Sequence, residues 1–206
     1  VNLQTIKRKL VNNTPTILGM SQSREYSIIL PLMEVNGETH VVFEVRSKLM
    51  RRQPGEVCFP GGKIDNSDQG PEDAGERELY EELGVSNQQI EDIFLLGLFV
   101  SPFGMKANVF VGMIQPVDAF SINPDEVEEV FTVPLQFFID YEPKIHYINI
   151  DMKPEENFPY DDLVNGDDYK WQTLQYEENF YYYQGQVIWG LTAKILKEFI
   201  TLIKKT

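Results

Sequence analysis

Four glutamates, Glu76, Glu78, Glu81 and Glu82, fall within seven consecutive residues. Like charges three or four apart on a helix repel by about 0.2–0.5 kcal/mol per pair, so something must offset them. At about 100° per residue, Glu78, Glu81 and Glu82 share one sector of a helix, Leu79 and Leu83 lie beside it, and Glu76 points away. Carboxylates grouped on one face suit a hard divalent cation that takes oxygen ligands, Mg2+ or Mn2+. Neither cysteine nor histidine accompanies them, which weighs against zinc. The competing reading is a solvated helix face. A calcium loop in "DNSDQGPEDAGE" matches only degenerately, and "CFPGGKI" before it cannot form the entering helix.

A second group of residues has the opposite sign. From Arg46 to Lys63 the chain carries Arg46, Lys48, Arg51, Arg52 and Lys63 against the single acid Glu56. This basic island sits in a chain of 206 residues with net charge −14, which weighs against general nucleic-acid or membrane binding. It suits a small anionic ligand, since the arginine fork matches phosphate oxygens.

The elements that must position these groups are legible from periodicity. Leu3 to Val11 reads as a short amphipathic helix. "YSIILPLMEV" and "THVVFEVRS" read as strands joined by an Asn-Gly turn. "QPGEVCFPGG" reads as a loop with a short strand at Glu56–Phe59. A helix is expected from Pro71 to Leu83, with proline in its first turn and Gly84 as its stop. "IFLLGLFVS" and "ANVFVGMIQPV" read as strands joined by "PFGMK". "EVEEVFTVPL" reads as a strand entering a helix at Leu135–Ile139, and "KIHYINI" as a strand. "NFYYYQGQVIWG" reads as a hairpin about Gln184-Gly185, and "LTAKILKEFITLIKK" as a final amphipathic helix. Residues 151–178 hold nine acids and two lysines and are expected to be an acidic insertion of low order. Tyr181–Tyr183 are expected to pack rather than to stack on a base. The whole is an α/β sandwich with a mixed β-sheet, one domain spanning 1–206 with its core at about 26–196.

The single Cys58 cannot form an internal disulfide, and neither His40 nor His146 is evidently its partner. A buried structural cysteine in a reducing, cytoplasmic setting is expected. "VNLQTIKRKLVNN" lacks the apolar core of a signal peptide, "LIKKT" is not a peroxisomal address, and no apolar run reaches about 18 residues.

"RELYEELGV", Arg77 to Val85, resembles the second half of a Nudix box, R-E-apolar-x-E-E-x-G-apolar, with Gly61-Gly62 where that box begins. "RSKLMRRQPGEVCFPGG" is similar to the signature of the coenzyme A pyrophosphatase branch of the Nudix hydrolase family. Arg46, Ser47, Arg51, Gly55, Phe59, Pro60, Gly61 and Gly62 fill every defined position. Weaker likenesses lie in "NPDEVEEVFTVPL" and "IWGLTAKIL". One feature departs from the usual spacing. The loop between Gly62 and Arg77 is one residue longer, and its leading glutamate is replaced by Asp68 or displaced to Glu72, which leaves the partner of Arg77 open.

The resemblance implies a Nudix-type α/β/α sandwich that hydrolyses a diphosphate linkage with Mg2+ or Mn2+. It assigns Glu78 and Glu82 as principal metal ligands, Glu81 as a further one, directly or through water, and the Gly62 carbonyl as an addition. Glu126 is the expected general base, with Glu81 as the alternative. Arg46 and Arg51 are expected on substrate phosphates, and Phe59 either walls the pocket or lies in the core. The implied reaction cleaves coenzyme A or its derivatives to adenosine 3′,5′-bisphosphate and 4′-phosphopantetheine. The alternatives are a hydrolase of ADP-ribose or another nucleoside diphosphate derivative, and a non-catalytic ligand-sensing module. The expected partner is the small anionic substrate, with a homodimer as the expected assembly.

Overall fold

The computed structural model describes residues 2–14, 16–20, 24–102 and 104–205. They form helix α1 (Leu3–Val11), strands β1 (Arg24–Val35), β2 (Glu38–Arg46), β3 (Val57–Cys58) and β4 (Gly61–Lys63), and helix α2 (Pro71–Leu83). Strands β5 (Ile90–Val100), β6 (Met105–Ile114) and β7 (Val127–Pro134) follow, then helix α3 (Leu135–Asp140). Strands β8 (Lys144–Asp151), β9 (Thr173–Tyr183) and β10 (Gln186–Ile188) lead to helix α4 (Gly190–Lys204). Of the expected "PFGMK" connection, residue 103 lies outside the described residues, as do positions 1 and 206 of the expected domain.

The larger sheet runs β3-β2-β1-β6-β5, with β4 also paired to β1 and β7 to β2. It is mixed: β1 and β6 are parallel, and the other pairs are antiparallel. The β1–β2 hairpin turns at Asn36 and Gly37, whose φ values of +52° and +82° suit a primed turn. Pro31 falls in the gap between the residues of β1 that pair with β4 and those that pair with β2, where a missing N–H is best tolerated.

Because helices cover both faces of the sheet, β1 reads as an almost unbroken apolar run. Ile29 and Met33 pack with Leu79 and Leu83 of α2 on one face. Leu30 and Leu32 pack with Ile195, Leu196 and Phe199 of α4 on the other. The layers are therefore α/β/α, as the resemblance implied.

Two local expectations need correction. The loop before α2 holds two strands, not one: β3 is confined to Val57–Cys58, and Gly61–Lys63 pairs with β1. The acidic segment is not of low order. It contains 3-10 turns at Tyr160–Asp162 and Gly166–Asp168, and Trp171 packs at 5.3 Å from Phe158 and 4.9 Å from Tyr169. Its last six residues belong to β9, whose residues 173–180 pair with the whole of β8. Helix α1 forms under an Asn2 cap, but none of its residues is buried. Of the three tyrosines, Tyr181 is buried and Tyr183 packs against Phe137 at 4.9 Å, while Tyr182 is exposed.

Candidate active site

Helix α2 starts at Pro71 and ends where Gly84 turns left-handed at φ +73°. Its apolar stripe faces β1, which fixes the rotation of the helix and turns Glu82 inward, to 3% exposure. Glu78 lies one turn earlier, and its side chain is 12% exposed. The third member comes from the loop between β6 and β7. Glu78, Glu82 and Glu126 each offer a carboxylate oxygen, all within 4.8 Å of one another.

The loop bearing Glu126 is fastened from two sides. Asn123 N–H donates to the Glu82 carbonyl at 3.0 Å, and Ser121 N–H to the Leu83 carbonyl at 3.1 Å. From the β2 side, Ser47 N–H donates to the Glu126 carbonyl at 2.7 Å and Ser47 Oγ to the Pro124 carbonyl at 3.0 Å. The glycine pair closes the opposite wall. Gly61 N–H donates to Glu82 Oε2 at 2.9 Å. A Cβ on Gly62 would collide with the Glu78 carboxylate, so the bare backbone at this position is a condition of the arrangement.

Arg77 organises the outer side. Its Nε and Nη2 donate to both oxygens of Asp68, at 2.9 and 3.1 Å. Nη2 also reaches the Lys63 carbonyl at 3.1 Å, and Nη1 donates to Glu78 at 2.8 Å and to Glu81 at 3.0 Å. The question of Arg77's partner is thereby answered: it is Asp68, whose carboxyl the guanidinium holds below its ordinary range. Glu81 does not join Glu78, Glu82 and Glu126. Its side chain is 49% exposed and turned onto Arg77.

The electrostatics of the cluster are those of crowded, desolvated anions. Burial pushes the Glu82 carboxyl up to about 9, and the neighbouring Glu44 adds to the effect. Burial raises Glu78 as well. Glu44, on β2 and 1% exposed, is pushed up to about 7 by its own burial, although the Cys58 thiol donates to its Oε1 at 3.1 Å. Burial is also the main reason the Cys58 thiol titrates well above its ordinary value. A donor set made of oxygens alone, held around too little positive charge, fits a hard divalent cation.

The remaining expected residues fall beside this cluster. Arg46, Phe59, Gly61 and Gly62 line a cavity of about 390 Å³. Phe59 does both things considered for it: it lines the cavity and stacks on Phe43 at 5.0 Å in the core. Arg46 Nε donates weakly to the Arg52 carbonyl at 3.4 Å. Arg51 is exposed on the 47–55 loop and does not line the cavity. Sequence reasoning missed Glu44, Glu178 and Trp189. Glu44 left one signal, a glutamate in the apolar run "VVFEV".

Comparison with known proteins agrees with the geometry. Residues 25–154 match the NUDIX domain. The chain therefore belongs to the Nudix family. It is 37% identical over 125 residues to peroxisomal coenzyme A diphosphatase NUDT7 of Mus musculus, covering 61% of this chain and 52% of that one. It is 35% identical over 142 residues to peroxisomal coenzyme A diphosphatase ndx-8 of Caenorhabditis elegans, covering 66% and 58%. The chain thus spans somewhat over half the length of these two relatives. Nudix hydrolase 3 of C. elegans is 30% identical over 184 residues, covering 86% and 72%. Among solved structures, a MutT/nudix family protein from Enterococcus faecalis superposes with a TM-score of 0.53 at 16% identity, covering all of this chain and 71% of that one; this likeness bears on the fold alone.

Proposed function

We propose that this chain is a divalent-metal-dependent hydrolase of the diphosphate bond of coenzyme A or its derivatives, releasing adenosine 3′,5′-bisphosphate and 4′-phosphopantetheine. The observation that carries the reading is the trio Glu78, Glu82 and Glu126, set beside a cavity lined by Arg46 and the Gly61-Gly62 backbone. The coenzyme A assignment is supported by the filled Arg46-to-Gly62 signature and by the names of the two relatives.

Glu78 and Glu82 would hold the cation, Mg2+ or Mn2+, with the Gly62 carbonyl as a further oxygen donor. When bound, such an ion supplies Lewis-acid charge to the phosphoryl oxygens and acidifies a water. Glu126 accepts the proton as the water oxygen bonds to phosphorus and the bridging P–O bond breaks. Arg46 offsets the charge of the diphosphate. Arg51 reaches the bound substrate from the loop outside the cavity. Glu81 acts through Arg77, steadying it. A cytoplasmic setting, with Cys58 as a free structural thiol, is part of the same proposal. A tagged chain imported into peroxisomes would overturn that part alone.

The test is product analysis with Mg2+ or Mn2+ across coenzyme A, ADP-ribose, NADH, diadenosine polyphosphates and nucleoside triphosphates. Adenosine 3′,5′-bisphosphate from coenzyme A is expected. Turnover of ADP-ribose alone sinks the assignment.

A further inference from the structure

Glu178 sits on β9 at 8% exposure, and its Oε2 is buried without a hydrogen-bond partner. Burial raises its carboxyl above the ordinary range, and only the charge of Lys194 opposes the shift. An unpaired buried carboxylate is costly, and native structures rarely keep one without a use. Among the described residues no ion pair reaches it, and its neighbours on α4 and β8 make other contacts. Lys194 lies over the Tyr176 ring at 3.7 Å. Lys197 donates to Glu177 at 2.7 Å and to Asn179 at 3.0 Å. His146, directly across the β8–β9 ladder, packs its ring on Phe180 at 5.2 Å.

What Glu178 does adjoin is open space. It lines the same cavity of about 390 Å³ that Gly61, Gly62 and Arg46 line beside the carboxylate trio. Trp189, also lining it, is stacked flat on Phe180 at 5.6 Å, so the wall next to Glu178 is held in place. The cavity adjoins the glycine pair that walls the trio, so one arm of a substrate whose diphosphate lies at the trio can enter it. Oε2 itself is sealed from the cavity, so it is the other edge of the carboxylate that an arm carrying an N–H group can reach, and an arm without one leaves the group with no donor on either side.

Resting on the reading of the site as a coenzyme A hydrolase, we infer that Glu178 is a specificity-determining residue: it accepts a hydrogen bond from an N–H donor on the substrate arm that fills the cavity. Two parts of such a substrate carry that chemistry, the exocyclic amine of adenine and the amides of the pantetheine arm. Selection of this kind is strong, because a ligand lacking the donor leaves a buried charge without a partner.

The experiment measures binding of the two product halves, adenosine 3′,5′-bisphosphate and 4′-phosphopantetheine, by calorimetry to wild type, Glu178→Ala and Glu178→Gln. It is run beside steady-state kinetics on coenzyme A. One half is expected to lose at least tenfold in affinity in Glu178→Ala, and the half that does so identifies the donor. KM for coenzyme A is expected to rise by a similar factor, with kcat falling less. Glu178→Gln, which keeps an acceptor oxygen, is expected to recover most of the loss. The thermal midpoint of Glu178→Ala is expected to equal or exceed that of wild type, which separates lost recognition from lost folding. If wild type hydrolyses coenzyme A and Glu178→Ala keeps both affinities and KM within twofold, this inference is overturned and the proposed function stands. If wild type neither hydrolyses coenzyme A nor binds either half, the function reading fails and this inference falls with it.

Discussion

Glu81 and Glu82 are adjacent, and the helical wheel places both in one sector with Glu78. They nonetheless take different roles, because Arg77 draws Glu81 outward while Gly61 N–H holds Glu82 inward. Glu78→Gln and Glu82→Gln are therefore expected to lower kcat/KM by more than about 100-fold. Glu81→Gln and Asp68→Ala, which act through Arg77, are expected to cost about 10–100-fold. Equal losses at Glu81 and Glu82 in steady-state assays would show that Glu81 leaves Arg77 for the ion. Glu126→Gln tests the base, and activity within about threefold of wild type would remove Glu126 from the proton step. Charge reversal at Arg51 is expected to raise KM, and an unchanged KM would remove it from substrate binding. At this scale the sequence identified the residue types well, because the box motif fixes them by spacing. Beyond the placing of Glu44 in the apolar run "VVFEV", it could not reveal that Glu44 and Glu178 are buried carboxylates, because a glutamate in a strand shows its depth only when the layers above it are known.

At the scale of elements, α2 and the hairpin were readable almost to the residue, since proline, glycine and the apolar period mark them locally. The loop bearing Glu126 was not, since its shape is set by bonds to α2 and to Ser47, both distant in sequence. Ser47 is 2% exposed and ties that loop to the end of β2. Ser47→Ala removes the hydrogen bond to the Pro124 carbonyl and is expected to cost about 0.5–1.5 kcal/mol in denaturant melts. It should also lower kcat by loosening Glu126. A loss of kcat without any loss of stability would mean that Ser47 touches the reaction instead of the loop. The extent of β9 was likewise hidden, because Thr173–Glu178 is largely polar and pairs only with β8.

For the whole molecule, the buried carboxylates set how stability responds to pH. Glu82 and Glu44 have folded values of about 9 and about 7, above those of an unfolded chain, so the folded state keeps protons that the unfolded state loses. Without metal, stability should therefore decline as pH rises from about 5 to 9. A divalent cation should reverse the trend, and its stabilisation should grow with pH as protons cease to compete for the same oxygens. Thermal midpoints measured with EDTA and with Mg2+ across that range check both signs, and a metal-free midpoint that climbs toward pH 9 would refute the burial account. The Asp68–Arg77 pair carries a last consequence. Relative to the usual box, this chain has one more loop residue and one fewer side-chain methylene, and the two changes compensate in reach. Deleting Gln69 alone, or making Asp68→Glu alone, should each misplace the carboxylate, while both together should restore it. The two positions are thus expected to show reciprocal sign epistasis, so that neither spacing can evolve into the other through a fit single-step intermediate.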